Sequence, residues 1–250
     1  MSVSTLELCF YRMAESFKLT AEVINRLDSV QQLRLANLSP SRQRQFVVGR
    51  ILLVEMLQHF HGLSADDWRL EERQGSPPKL TLAGTTYQAA GVPKFSISHS
   101  GDIVTVAICK AADLSPCHVG VDIEAIIQRD NTDTANYFCS PPELQELATL
   151  SDLRSQLEYM TRVWTRKEAF FKAYELPILN PRITKLCMVK SAANQGSIST
   201  STIDKNNILS VYCPAEASIS TQRVIMDRQG KFARLAPVDL LWESFRPEFL

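Results

Sequence analysis

Glu168 and Lys172 stand four residues apart in a stretch whose apolar positions Leu153, Leu157, Met160, Trp164 and Phe171 recur at helical spacing. Glu168 falls on that apolar stripe, between Trp164 and Phe171. A carboxylate there is either an i,i+4 partner of Lys172 on a solvated edge, or a buried acid that needs a counter-charge or a metal. A second pair of acids lies in Val119-Gly120-Val121-Asp122-Ile123-Glu124. Strand side chains alternate, so Asp122 and Glu124 share one face, about 7 Å apart, while Val121 and Ile123 face a core. Such a face is either a polar strand surface in water or a pair of oxygen donors for a hard cation such as Mg²⁺. A third group, Ser98-His99-Ser100 before Gly101, puts two hydroxyls and an imidazole at a strand end. It can hold a phosphate with side-chain and backbone donors, or simply be a hairpin end rich in turn formers.

These groups need elements to position them. Thr5–Arg12 alternates as an opening strand. Ser39-Pro40 reads as an N-cap followed by proline at the first helical position, and Phe46, Gly49, Leu53, Leu57 and Phe60 continue a helix to His61-Gly62. Gly75-Ser76-Pro77-Pro78 reads as a loop. Phe95–Ser98 and Ile103–Cys109 read as strands joined at Ser100-Gly101-Asp102, and Val119–Glu124 as another. Ser140-Pro141-Pro142-Glu143 fits a capping box opening a short helix. The longer helix runs from about Asp152 to Glu175, and strands follow near Ile183–Val189, Ile208–Cys213 and Ser218–Met226. Mixed elements without regular βαβ alternation point to α+β with antiparallel sheet. The polar, proline-bearing stretch Asp113–His118 is the expected join between two halves, 1–115 and 116–250.

With 250 residues, 45% hydrophobic and 22% charged, the chain is long enough for a real core and is neither a disordered tail nor a coiled coil. Lys and Arg number 27 and so do Asp and Glu, which argues against gripping nucleic-acid phosphates along its length. The six cysteines form no C-x-x-C pair and read as buried thiols of a reducing compartment. The first residues show no basic n-region or apolar run, and Phe46–Leu57 is interrupted by Arg50 and Glu55. The expectation is a cytoplasmic protein without a membrane segment.

Val119-Gly120-Val121-Asp122-Ile123-Glu124, followed after 39 residues by Trp164-Thr165-Arg166-Lys167-Glu168-Ala169-Phe170-Phe171-Lys172, resembles the signature of the 4′-phosphopantetheinyl transferases, a V/I-G-V/I-D strand and then W-x-x-K-E-x-x-x-K. Ser98-His99-Ser100 is similar to that family's S-H-S element, and Phe138-Cys139-Ser140-Pro141-Pro142-Glu143 to its F-S-x-x-E segment. Arg44–Leu53, with Gly49-Arg50, looks like its early arginine-bearing helix. The resemblance runs from about residue 40 to 175, and the length suits the larger monomeric type that acts on surfactin-type synthetases.

The resemblance implies two similar α+β halves related by a pseudo-twofold, each a small antiparallel sheet on a long helix, with coenzyme A and Mg²⁺ in the cleft between them. It implies transfer of 4′-phosphopantetheine from coenzyme A to a serine of an apo acyl or peptidyl carrier protein, by a monomer. Asp122, Glu124 and Glu168 would hold Mg²⁺. Glu168 and Lys172 would serve catalysis, Glu168 as metal ligand before base. Ser98 and His99 would contact a coenzyme A phosphate, with Arg44 and Arg50 as further candidates. The family's usual loop lysine is replaced by Ser76, so Lys79 is the candidate for that contact. A basic docking surface for an acidic carrier is expected around Arg162 and Arg166. A Mg²⁺-dependent nucleotide pyrophosphohydrolase, or an inactive carrier-binding module, is the alternative.

Overall fold

The computed structural model describes residues 5–15, 17–64, 66–71, 78–82, 92–110, 118–126, 132–177, 180–190, 197–213, 218–226 and 232–249. The chain divides into two compact units: 1–117 with 218–239, and 118–217 with 240–250.

In the first unit, β1 (Thr5–Arg12) is followed by α1 (Ala21–Ile24), α2 (Ser29–Ala36) and the long α3 (Pro40–His61). The hairpin β2 (Trp68–Glu71) and β3 (Lys79–Leu82) and the pair β4 (Lys94–Ser100) and β5 (Ile103–Lys110) come next. Gly62 ends α3 in the left-handed conformation (φ 65°), which only glycine adopts cheaply. Buried Val48, Leu52, Leu53, Met56 and Leu57 of α3 share a core with Cys9, Val104, Val106 and Ile108 of β1 and β5.

The second unit begins with β6 (Gly120–Ala125), then α4 (Pro141–Thr149) and the long α5 (Leu153–Ala173). Strands β7 (Leu186–Lys190), β8 (Ile198–Asp204) and β9 (Asn207–Tyr212) follow. The chain then returns to the first unit for β10 (Ser218–Met226) and β11 (Phe232–Pro237), and closes in the second unit with β12 (Glu243–Phe249). The first sheet has order β11-β10-β1-β5-β4 and the second β6-β9-β8-β12-β7. Each unit thus repeats one plan, a five-stranded sheet with a long helix, and the α+β class expected from the sequence is the one observed. Pairing is antiparallel in both five-stranded sheets except β1 with β10, which run parallel.

Several elements differ from the sequence reading. The strand expected near Ile183–Val189 starts three residues later, at Leu186, because Pro181–Lys185 forms a 3-10 turn that the Asn180 side chain opens by accepting from the Arg182 N–H. Helices α1 and α2 and strands β2, β3, β8, β11 and β12 are additional. The Ser/Thr-rich β8 lacks hydrophobic alternation, yet its Ser199, Thr200 and Ser201 are buried. β12 carries Pro247 beyond the part that pairs with β8, where the strand has a neighbour only in β7.

The cysteine expectation needs correction. Cys9, Cys139, Cys187 and Cys213 are free and buried, but Cys109, at the end of β5, is disulfide-bonded. Sequence spacing alone carries no information on which thiols the fold brings together. Cys117 and the loop residues Gly75, Ser76 and Pro77 lie outside the described residues. Among the described residues, no helix is long and apolar enough to cross a membrane.

Candidate active site

The site is built where β6 crosses α5. Gly120 makes the crossing possible: a Cβ on it would sit 1.9 Å from the Ala169 carbonyl oxygen and 2.7 Å from the Ala173 nitrogen. No larger residue lets the strand lie so close to the helix backbone. Two residues on, Asp122 leaves the same strand face and is 1% exposed. The Lys172 ammonium lies 2.5 Å from Asp122 Oδ1 and 3.2 Å from Glu168 Oε2. Glu168 is therefore not on a solvated edge; its residue is 8% exposed and its ion pair is part of a buried cluster.

The electrostatics follow from that crowding. Burial raises the Glu168 carboxyl to about 7, and the neighbouring Asp122 charge adds to the rise while Lys172 opposes it; Glu124 adds a smaller rise. Burial disfavours the Lys172 ammonium, but Asp122 and Glu168 outweigh it and hold Lys172 above its usual range, so it stays charged. Asp122 and Glu168 thus share one ammonium, and Glu124 adds a third negative charge beside Glu168. The donor chemistry, hard oxygens with excess negative charge, fits a cation such as Mg²⁺. Among the described residues, however, no group of three His, Cys, Asp or Glu side chains is disposed as a ready metal centre.

Glu124, half-buried on the same strand face, lines a cavity of about 760 Å³. Phe138, Met160, Trp164 and Ile183 give the cavity its apolar lining, and Thr134, Asn136, Asn180 and Thr184 add polar groups. Trp164 meets Phe138 edge-on at 5.2 Å.

A residue that the sequence reading gave no role, Lys167, holds this region together. It is fully buried, 2.6 Å from Glu143 Oε2, and donates to the Phe138 and Ile183 carbonyls at 2.7 and 3.0 Å. Glu143 in turn accepts from the N–H groups of Ser140 (2.7 Å) and Met188 (3.0 Å). The capping-box glutamate at the start of α4 is thereby tied to α5 and β7. The sequence signal was present, since a lysine beside Glu168 in a buried helix segment must have a partner. Arg166 is also buried, over the Phe245 ring at 3.4 Å, and Arg162 pairs with Glu158 and Glu243. Arg166 therefore offers no docking surface, and the Arg162 charge is already matched.

In the first unit, Ser98 and His99 occupy the end of β4, with Ser98 buried. The Arg42 Nη1 lies 3.2 Å from His99 Nδ1 and 3.1 Å from Nε2. An in-plane nitrogen equidistant from both ring nitrogens would collide with Cε1, so the guanidinium lies over the ring face. Gln45, one turn on, donates to the Gly101 carbonyl at 2.9 Å and pins the adjoining turn. Arg42, absent from the expected cations, is thus the arginine that the fold brings to His99. Arg44 donates to the Ala14 carbonyl at 3.1 Å. Arg50 is buried with its guanidinium 4.5 Å from the Phe46 ring centroid. Lys79 is exposed on β3, in register with Glu71.

A strand aspartate locked to a helix lysine beside two more acids concentrates charge at one place on the second unit. Residues 118–217, the greater part of the second unit, match the family model of the 4′-phosphopantetheinyl transferase superfamily. Over 86 residues the chain is 40% identical to the 4′-phosphopantetheinyl transferase AcpT of Salmonella typhi and 38% identical to that of Salmonella typhimurium (strain LT2). Each match takes in 34% of this chain and 42% of the relative, so the chain spans less than half the length of these curated relatives.

Proposed function

We propose that the protein transfers 4′-phosphopantetheine from coenzyme A to a serine of an apo acyl or peptidyl carrier protein. The observation that supports this most is the Asp122–Lys172–Glu168 cluster, formed by the strand and helix motifs of the matched segment. The serine oxygen bonds to the phosphorus that carries pantetheine. The anhydride P–O bond breaks, and adenosine 3′,5′-bisphosphate leaves with the bonding pair. Asp122, Glu124 and Glu168 would hold Mg²⁺, which when bound neutralises pyrophosphate oxygens. Lys172 adds a fixed positive charge, and Glu168 would be a metal ligand in preference to the base that takes the serine proton. The apolar cavity beside Glu124 suits the uncharged, thiol-bearing arm of coenzyme A. Arg42, Ser98 and His99 suit a phosphate of its nucleotide end.

The test is intact-mass measurement of an apo carrier protein after incubation with coenzyme A, Mg²⁺ and this protein. A gain of one phosphopantetheine is expected. Cleavage of coenzyme A with no gain on any carrier would make the protein a pyrophosphohydrolase instead.

Two further outcomes are expected. His99→Ala should raise KM for coenzyme A roughly tenfold, with kcat nearly unchanged, because a remote phosphate contact supplies uniform binding. An unchanged KM would remove His99 from the nucleotide site.

The second concerns pH. Folding raises Glu168 from 4.5 to about 7, so the native state holds this proton more tightly than the unfolded chain. Its contribution to stability is full below pH 4.5 and is lost as pH rises through 7. In EDTA, Tm should therefore carry a falling component from this group between about pH 5 and 8. Mg²⁺ should raise Tm at about pH 8 and do little at about pH 5. Equal Mg²⁺ effects at both pH values would detach the cation from Glu168.

A further inference from the structure

One rung of the second sheet carries polar side chains from edge strand to interior: Asp122 of β6 is in register with Ser210 of β9, Ser210 with Thr200 of β8, and Thr200 with Glu243 of β12. In-register partners share a face, so all four stand on the face that α5 covers. Serine and threonine at the buried positions of this rung form no part of an apolar core, and α5 meets them with polar groups of its own.

The hydrogen bonds along this rung have a single consistent direction. The Thr165 hydroxyl donates to the Arg162 carbonyl at 3.1 Å, so towards Ser210, 2.9 Å away, its oxygen can only accept. Ser210 therefore donates to Thr165 and accepts from Thr200, also at 2.9 Å. Thr200, having given its proton to Ser210, accepts from the Arg166 Nε–H at 3.1 Å. The chain reads Arg166 to Thr200 to Ser210 to Thr165 to the helix carbonyl. Each hydroxyl donates once and accepts once, and a guanidinium polarises the chain from one end. Arg166 is held at that end by the Phe245 ring below it and by Glu243 at 3.4 Å.

We propose that Thr165 and Ser210 are positioning residues for the transfer reaction: their hydroxyl pair fixes the axial and rotational setting of α5 on the sheet, and so places Glu168 and Lys172 against Asp122. Thr165 precedes Glu168 and Lys172 by one and two turns on the same side of α5, and Ser210 is the cross-strand neighbour of Asp122. The helix is thus fastened to one rung at two successive places, by a hydroxyl pair and by an ion pair. Losing the first leaves the second to set the geometry alone. Small displacements of a charged group from the reacting phosphate are costly, because the work is electrostatic and preorganised.

The inference rests on the transfer reaction proposed above, and wild-type modification of an apo carrier tests that reaction first. With the wild-type rate in hand, Thr165→Val, which keeps the shape and loses the hydroxyl, should lower kcat roughly tenfold with KM for coenzyme A within about twofold of wild type. Thr165→Ser should restore most of the rate. Ser210→Ala should match Thr165→Val, and the double variant should be no slower than either single one, because both break one link. A variant that merely loosened the fold would lower the folded fraction and leave kcat per folded molecule intact, so rates are referred to folded protein, its fraction taken from circular dichroism and thermal melting. Wild-type kcat in folded Thr165→Val, or multiplicative losses in the double variant, would overturn the proposal.

Discussion

Asp122→Ala is expected to abolish most transfer while leaving the fold standing. Asp122 gives Lys172 its nearest counter-charge and supplies a buried carboxylate oxygen on the strand face shared with Glu124. Removing it strips a charge from where the pyrophosphate must be organised, a loss of roughly 10²–10³-fold in kcat by analogy with other preorganised electrostatic contacts. The fold survives because Lys172 keeps its pair with Glu168, and Val121 and Ile123, on the opposite strand face, are untouched. Asp122→Asn sharpens the test, since it preserves shape and removes only charge. Both variants should show native circular dichroism. Turnover near wild type in either, with apo carrier and coenzyme A saturating, would remove Asp122 from the reaction.

The second large effect concerns stability. Lys167→Ala leaves Glu143 buried without its cation and the Phe138 and Ile183 carbonyls without their donor. Breaking a buried pair from one side costs about 3–5 kcal/mol, mostly the penalty of the stranded charge. The sign of that explanation is testable. Lys167→Met combined with Glu143→Gln removes both charges and should be markedly more stable than Lys167→Ala, although the introduced glutamine must still satisfy the Ser140 and Met188 N–H groups. Denaturant midpoints with unchanged m-values decide it. A loss under about 1 kcal/mol in Lys167→Ala would mean that the pair is not structurally important.

Much of the fold around the two long helices was legible in the chain because its signals are local. Proline and an N-cap serine open α3, and glycine closes it; the apolar spacing of Leu157, Met160 and Phe171 sets the buried side of α5; alternation sets β6. Leu153 is the exception on that stripe, exposed at the first turn where the helix has yet to meet its core. Strands β8 and β12 escaped because hydroxyls stand at buried positions of both, Ser199, Thr200 and Ser201 in β8 and Ser244 in β12, in place of apolar alternation. The hydropathy pattern that marks a strand is absent where the partner across the interface is polar.

The sequence by itself determined which element carries each group that the proposed reaction would use: acids alternating on a strand, an acid and a lysine one turn apart on a helix, a Ser-His-Ser strand end. Those follow from the strand and helix periodicities, roughly 2 and 3.6 residues, which are properties of the backbone. Only the tertiary structure decided who meets whom. That Lys172 pairs with Asp122 fifty residues away, that Lys167 belongs to Glu143, that Arg42 and not Arg44 or Arg50 lies over His99, and that 218–226 returns to pair with β1 are all outcomes of packing. A side chain's neighbours across an interface depend on how closely two backbones approach. Here that distance is set by one missing Cβ, at Gly120.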